Sequence, residues 1–297
     1  MLVCVATLLG YAGKWMWALD LLSAFRMHYL AILFGALVAV LGTRRFRWAA
    51  LYGLGCLLNL VAVMPYYWPV KPTGNEKAET LRIVSLNVNT ENDRYDLVEG
   101  FLRDRHPDFV LLMEIDVAWV RALEGLKGDY PYQLVEPRGD NFGIALLSRH
   151  PFLKGEVAFV GESGVPSVIA YSSVNGHAVT LVGTHPLPPL HADTARLRNE
   201  QLAAIASRLR GETGPTLLVG DLNMTPWSSA FDELAKSTGL RDSSLGRGVH
   251  PTWPAMRIWL GIPIDFCLVS KGVEIRDANV GSAVGSDHLP LVVDFRL

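Results

Sequence analysis

The sequence predicts an α/β domain built in layers, carried behind an apolar amino-terminal region of about three transmembrane helices. Three observations predict it. From residue 80 onward, short runs of Val, Ile, Leu and Phe bounded by Gly, Pro and Asn alternate with stretches of helical spacing. Before residue 67 the only formal charges are Lys14, Asp20, Arg26, Arg44, Arg45 and Arg47, set between apolar stretches rather than within them. Several strand-like runs also end on an Asp, Glu, Asn or His, and the end of a buried run is the rim of a sheet.

The first 68 residues read as the membrane region, in segments 1–22, 27–42 and 48–68. Crossing a bilayer takes ~20 apolar residues with a lower limit of ~17, so the second is marginal and the third comfortable. A soluble helical hairpin would show polar faces that these segments lack. A cleaved signal peptide would start with a basic stretch, which is missing here. Arg44, Arg45 and Arg47 fill the turn between the second and third segments. The excess of positive charge in cytoplasmic loops places that turn inside, so the remainder of the chain faces the periplasm or cell exterior, as in a multi-pass bacterial inner-membrane protein. Trp15, Trp17, Tyr66, Tyr67 and Trp68 are expected at the outer interface, where amphipathic rings are favoured. Residues 69–79, rich in Pro, Gly and charge, read as a linker.

The domain at 80–297 follows. Strands are expected at 81–86, 109–113, 143–147, 168–171, 179–183, 216–219, 264–269 and 291–295, and helices at 95–105, 117–126, 193–209 and 228–237. The 193–209 stretch sets Leu197, Leu202, Ile205 and Leu209 near one face. Cys4, Cys56 and Cys267 are far apart and show no metal-ligand spacing, so they read as buried thiols. Residues 76–297 hold 21 Lys and Arg against 28 Asp and Glu, a formal −7. A protein gripping a nucleic-acid backbone usually carries a basic stripe, which counts modestly against DNA.

Asp221 and Asn223 flank Leu222 after the run 216–219, and in extended chain they point the same way. Gly220-Asp221-Leu222-Asn223 is equally good turn chemistry. Asp265 ends a buried run and needs a partner, for which an imidazole is the natural choice. His288, in Ser286-Asp287-His288, offers one, and an Asp that fixes a His tautomer is a recurring catalytic device. Glu114 ends 109–113 and suits a hard cation such as Mg²⁺ or Mn²⁺, with Asn87 and Asp287 as neighbours. His185 ends another run.

The ordered set Ser85-Leu86-Asn87, Glu114, Leu147-Ser148-Arg149-His150-Pro151, Thr184-His185, Gly220-Asp221-Leu222-Asn223, Ile264-Asp265 and Ser286-Asp287-His288 resembles the endonuclease/exonuclease/phosphatase superfamily. The resemblance covers residues ~80 to 297; each motif is weak, and their ordered combination is specific. It implies a four-layered α/β sandwich with two facing mixed sheets, and a Mg²⁺-dependent phosphoesterase site at one end. It implies Glu114 as principal metal ligand, with Asn87 and Asp287 beside it, and His288 oriented by Asp265 to act on water or stabilise the transition state. Asp221 would assist the nucleophile or leaving-group proton, Asn223 would orient the phosphate, and His185 would donate to a non-bridging oxygen. The base stays open between Asp221 and His288.

Departures bear on substrate. Abasic-site enzymes of the superfamily commonly have Gln where this chain has Met113, Asp where it has Asn89, and Tyr where it has His185. His185 is more similar to the DNase and sphingomyelinase branches. The expectation is a membrane-anchored phosphodiesterase or phosphomonoesterase, acting on lipid headgroups. The alternatives are an extracytoplasmic DNase-type nuclease, which a patch of Arg196, Arg198, Arg208 and Arg210 would favour, and a non-catalytic membrane scaffold.

Overall fold

The computed structural model describes residues 1–70 and 79–297. Most of the expected linker, 71–78, lies outside the described residues. The chain opens with α1 (Leu2–Gly10), a 3₁₀ turn at Gly13–Trp15, α2 (Trp17–Leu21), a second 3₁₀ turn at Leu22–Phe25, α3 (Arg26–Leu41) and α4 (Phe46–Tyr67). Two stretches, Trp17–Leu41 and Phe46–Tyr67, are long and apolar enough to cross a membrane. Few of their apolar side chains are buried, and Phe34, Val38 and Val61 are among the exposed ones, which is not how a soluble core helix behaves. The expected first segment is a short helix followed by a 3₁₀ turn, where Gly13 lies so close to Asp20 that a Cβ would collide. α3 packs on α4 with the fully buried Leu33 against Gly55, a small residue that lets two helices approach closely.

The second part is a sandwich of two mixed sheets between helices. Its elements are β1 (Leu81–Asn87), α5 (Tyr95–Arg105), β2 (Phe109–Met113), α6 (Val117–Ala122), β3 (Tyr132–Glu136), β4 (Ile144–Ser148), β5 (Phe152–Phe159), β6 (Pro166–Val174) and β7 (His177–Thr184). They continue with α7 (Ala192–Leu209), β8 (Thr216–Asp221), α8 (Ser229–Thr238), β9 (Arg241–Asp242), β10 (Asp265–Val269), β11 (Glu274–Val280) and β12 (Leu291–Arg296). One sheet runs β11-β12-β1-β2-β4-β3 and the other β5-β6-β7-β8-β10-β9.

Three apolar layers hold the four tiers together. Leu81, Ile83, Leu111, Leu181, Val219 and Cys267 meet between the sheets. Phe101, Leu102 and Trp119 seat α5 and α6 on the outer face of the first sheet, and Leu202, Ile205, Phe231 and Leu234 seat α7 and α8 on the second. Every expected strand and helix is present. The strands beyond the expected set, β3, β5, β9 and β11, are the four sheet edges, and polar residues such as Gln133, Lys154, Glu156, Arg276 and Asp277 break up the apolar run in three of them.

Side-chain alternation sets the site. Leu81 and Ile83 face the inter-sheet core, so two-residue periodicity carries Ser85 and Asn87 to the same face. Leu217 and Val219 do the same for Asp221, and Val269 and Cys267 for Asp265. The polar group at each strand end thus projects into the open end of the space between the sheets.

Candidate active site

Asp221 and Asp265 are direct partners across the antiparallel pair β8–β10, and Asn87 pairs with Met113, one residue before Glu114, across the parallel pair β1–β2. Gly220 lets β8 pass close to the end of β7. Its φ is +145°, and a Cβ there would strike the carbonyl oxygen of Thr184, so any larger residue would push Asp221 away from His185.

The structure brings all eight expected site residues to one rim. His288 donates from Nδ1 to Oδ2 of Asp265 at 2.9 Å, and its Nε2 stands 3.7 Å from Oδ2 of Asp221. His185 Nε2 lies 3.5 Å from that same oxygen. Asn87 donates to Glu114 Oε1 at 2.7 Å and to Asp221 Oδ2 at 3.5 Å, so it ties the two sheets' polar ends together. Asn223, in the left-handed region, donates its side chain to the Pro186 carbonyl and its backbone N–H to Asp221 Oδ1. Asp287 is held by Asn89 Nδ2 at 2.9 Å and Trp253 Nε1 at 3.0 Å.

The electrostatics follow from burial. Asp221, Asp265, His185 and His288 are almost wholly enclosed. Desolvation and the neighbouring Asp265 charge push the Asp221 carboxyl up to about 7. Burial works against the His288 cation, but Asp265 and then Asp221 overcome it and lift the imidazole to about 10. Burial, reinforced by the charge on His288, drives His185 down to about 3, so it is neutral. Glu114 is raised, first by desolvation, with Asn87 and Thr90 pulling the other way.

Two sets of donors are available to a cation. Asp221, Asp265 and His288 have ligand atoms within 4.8 Å of one another. Two of these are already committed to each other as a hydrogen-bonded imidazole and carboxylate, which satisfies their charges internally. The second set is Glu114 and Asp287, bridged through Asn87 and Asn89. Asn89 donates its N–H to Asn87 Oδ1 and its amide to Asp287 Oδ1. These are hard oxygen donors, and Glu114 is a desolvated carboxylate whose hydrogen bonds come from neutral groups, an arrangement that a divalent cation relieves.

Several residues at the site were not expected in these roles. Asn89 and Trp253 fix Asp287; the sequence marked Asn89 only as a departure from the abasic-site enzymes, and nothing local marked Trp253. Asp20, Leu21 and Ala24 of the amino-terminal region also line the cleft, a cavity of about 470 Å³ that includes Glu114, His185, Asp221 and His288. Asp20 is fixed by accepting from Ser229 N at 2.7 Å and Ser229 Oγ at 2.9 Å, at the start of α8. Tyr66, expected at a membrane interface, is buried instead and donates to Asp242 Oδ2 at 3.1 Å. Of the four arginines considered as a basic patch, Arg198 is buried and donates to the Asn223 carbonyl, while Arg196 pairs with Glu200 and Arg208 with Glu156.

Comparison with known proteins agrees with this fold. The model of the Endonuclease/Exonuclease/phosphatase family matches residues 84–288. A UPF0294 protein of Klebsiella pneumoniae (strain 342) is 25% identical over 242 residues, covering 76% of this chain and 87% of that protein. The crystal structure of an endonuclease/exonuclease/phosphatase from Beutenbergia cavernae superposes with a TM-score of 0.61 at 24% identity, over 73% of this chain and 72% of that one. D. rerio TDP2 complexed with a single-strand DNA product gives 0.62 at 18% identity, over 74% of this chain and 100% of that one. At these identities the structural likeness speaks for the fold.

Proposed function

The chain belongs to the endonuclease/exonuclease/phosphatase family, and from that premise we propose that it is a membrane-anchored phosphoesterase. It hydrolyses phosphodiester or phosphomonoester bonds of lipid headgroups by in-line attack of water, with Mg²⁺ or Mn²⁺. The observation that carries this reading is the composite cleft. Its floor is the polar cluster of the sandwich, and part of its wall is Leu21 and Ala24 from the apolar amino-terminal region. An amphiphilic phosphoester matches both surfaces.

Glu114, Asn87 and Asp287 are the residues that would hold the cation. When bound there, a divalent ion would polarise a phosphoryl oxygen and neutralise the charge that grows on it. His288, kept protonated by Asp265, presents an N–H to the developing charge on the phosphoryl oxygens. Asp221 is the remaining carboxylate within reach and takes the proton of the attacking water. Neutral His185 donates to a non-bridging oxygen, and Asn223 orients the phosphate.

The pairing of Arg196 and Arg208 with glutamates, and the burial of Arg198, support a lipid substrate over DNA, since no basic stripe remains on α7 among the described residues. With the α3–α4 turn carrying Arg44, Arg45 and Arg47 on the cytoplasmic side, the cleft lies at the outer surface of the inner membrane. An alkaline phosphatase fusion after residue 75 should then be active and a green fluorescent protein fusion dark. For the reaction, full-length protein with Mg²⁺ should be assayed in parallel on sphingomyelin, phosphatidylinositol phosphates, bis-p-nitrophenyl phosphate and plasmid DNA. Lipid turnover above plasmid nicking is the expected result. Plasmid cleavage with no lipid turnover would move the assignment to a DNase-type nuclease, and inertness on all four to a scaffold.

A further inference from the structure

We propose that a second site, separate from the catalytic cleft, binds the zwitterionic headgroup of a phospholipid where the amino-terminal helices meet α8. The inference rests on the reading of α3 and α4 as membrane-crossing, which puts this junction at the bilayer surface. A cavity of about 780 Å³ opens there between Tyr11, Lys14 and Arg26 on one side and Trp227, Glu233 and Lys236 on the other.

Arg26 is the decisive residue. Its side chain is buried in the first turn of α3, and its guanidinium lies 3.9 Å from the centroid of the Tyr11 ring. Nη1 reaches only Oδ1 of Asn59, at a long 3.5 Å, and Nε has no partner. The Asn59 amide is itself committed to Thr7 Oγ1 and the Gly55 carbonyl. No carboxylate pairs with Arg26 among the described residues. A buried guanidinium without a counter-charge is costly, and within so apolar a stretch it marks a functional partner. Its planar fork of donors matches the oxygens of a phosphate. Lys14, exposed at the mouth, adds a second cation.

The opposite wall has the other sign. Asp232 is taken by Lys236 at 2.5 Å, whereas Glu233 is exposed and has no partner among the described residues. The start of α8 is already satisfied by Asp20, so it is not where an anion would go. A cationic wall facing a free carboxylate fits one group that carries both charges, with phosphate toward Arg26 and Lys14 and ammonium toward Glu233.

The test uses full-length protein in detergent micelles, with a short-chain phosphatidylethanolamine as probe and native mass spectrometry as readout. Wild type should retain the lipid, and Glu114→Gln should retain it too, because this cavity does not include the residues that would hold the cation. Arg26→Gln should weaken binding about tenfold, as expected for loss of a charge-assisted phosphate contact. Lys14→Gln and Glu233→Gln, both at exposed positions that do not threaten folding, should each weaken it several-fold. Retention by Lys14→Gln and Glu233→Gln equal to wild type would overturn the proposal. So would equal affinity for phosphatidylglycerol, or displacement of the lipid by an equal concentration of inorganic phosphate. Release of the wild type from membranes by carbonate would instead sink the membrane-crossing reading on which the site depends.

Discussion

Asp221 and Asp265 stand directly opposite each other across β8 and β10, two buried carboxylates in register, with the His288 ring against both. Like charges at paired strand positions destabilise a sheet. Desolvation together with the Asp265 charge raises the Asp221 carboxyl, which is a cost to the native state that the His288 cation offsets only in part.

Asp221→Asn should show that cost. Removing one of the two opposed charges should stabilise the metal-free protein by about 1–2 kcal/mol, roughly 3–6 °C in melting midpoint for a domain of this size. It should also lower kcat by a factor of ~10² or more. An unchanged or lower midpoint with full activity would contradict both halves.

His288→Ala should lower kcat by ~10² or more with little change in KM, since the ring acts on charge that develops in the transition state. Asp265→Asn should be a weaker lesion of the same kind, because the ring loses its orienting partner but stays in place. Steady-state kinetics on bis-p-nitrophenyl phosphate distinguish the two.

Asp242 gives a prediction in pH. Burial pushes its carboxyl up to about 6, against the hydrogen bonds from Ser244 and Tyr66. The folded protein therefore binds this proton more tightly than the unfolded chain does, so the group costs stability as pH rises from about 4 to about 6 and the cost is constant above that. Asp242→Asn should remove a penalty on the order of 2–3 kcal/mol at pH 7.5 and almost none at pH 4. Melting in detergent at the two pH values measures the gap, and an equal gap at both would contradict it.

Asp20 links the amino-terminal helices to the cleft. Asp20→Ala removes the acceptor for both Ser229 donors and should cost about 1 kcal/mol, as loss of a helix cap does. Leu21→Gln should raise KM for a lipid several-fold and leave bis-p-nitrophenyl phosphate nearly unaffected, because Leu21 lines the apolar wall of the cleft.

The strands that carry the site were legible because they are central and buried on both faces, as in Leu217-Leu218-Val219 and Val110-Leu111-Leu112, which leaves unbroken apolar runs ending on a polar residue. Edge strands were not, since Phe152–Phe159 alternates Lys154 and Glu156 with apolar residues and sits beside only one neighbour. Asn87, Glu114, His185, Asp221 and Asp265 were legible as polar residues at or beside strand ends, whereas Asn223, Asp287 and His288 lie in loops and were legible only as parts of short motifs. What fixes Asp287 was invisible, because Trp253 reaches it from 34 positions earlier in the chain. The contribution of Asp20 and Leu21 was hidden by the same locality, as their stretch reads only as a membrane segment until Ser229 is seen to hold it against the sandwich.

Metal-dependent phosphoester hydrolysis at the Glu114 rim is tested by turnover of bis-p-nitrophenyl phosphate by the full-length protein in Mg²⁺, in excess EDTA and with Mg²⁺ restored. Activity in Mg²⁺ or Mn²⁺, loss in EDTA, recovery on restoration, and loss in Glu114→Gln with Mg²⁺ present are the expected results. Full turnover in excess EDTA, or an active Glu114→Gln, would contradict metal-dependent hydrolysis at this rim.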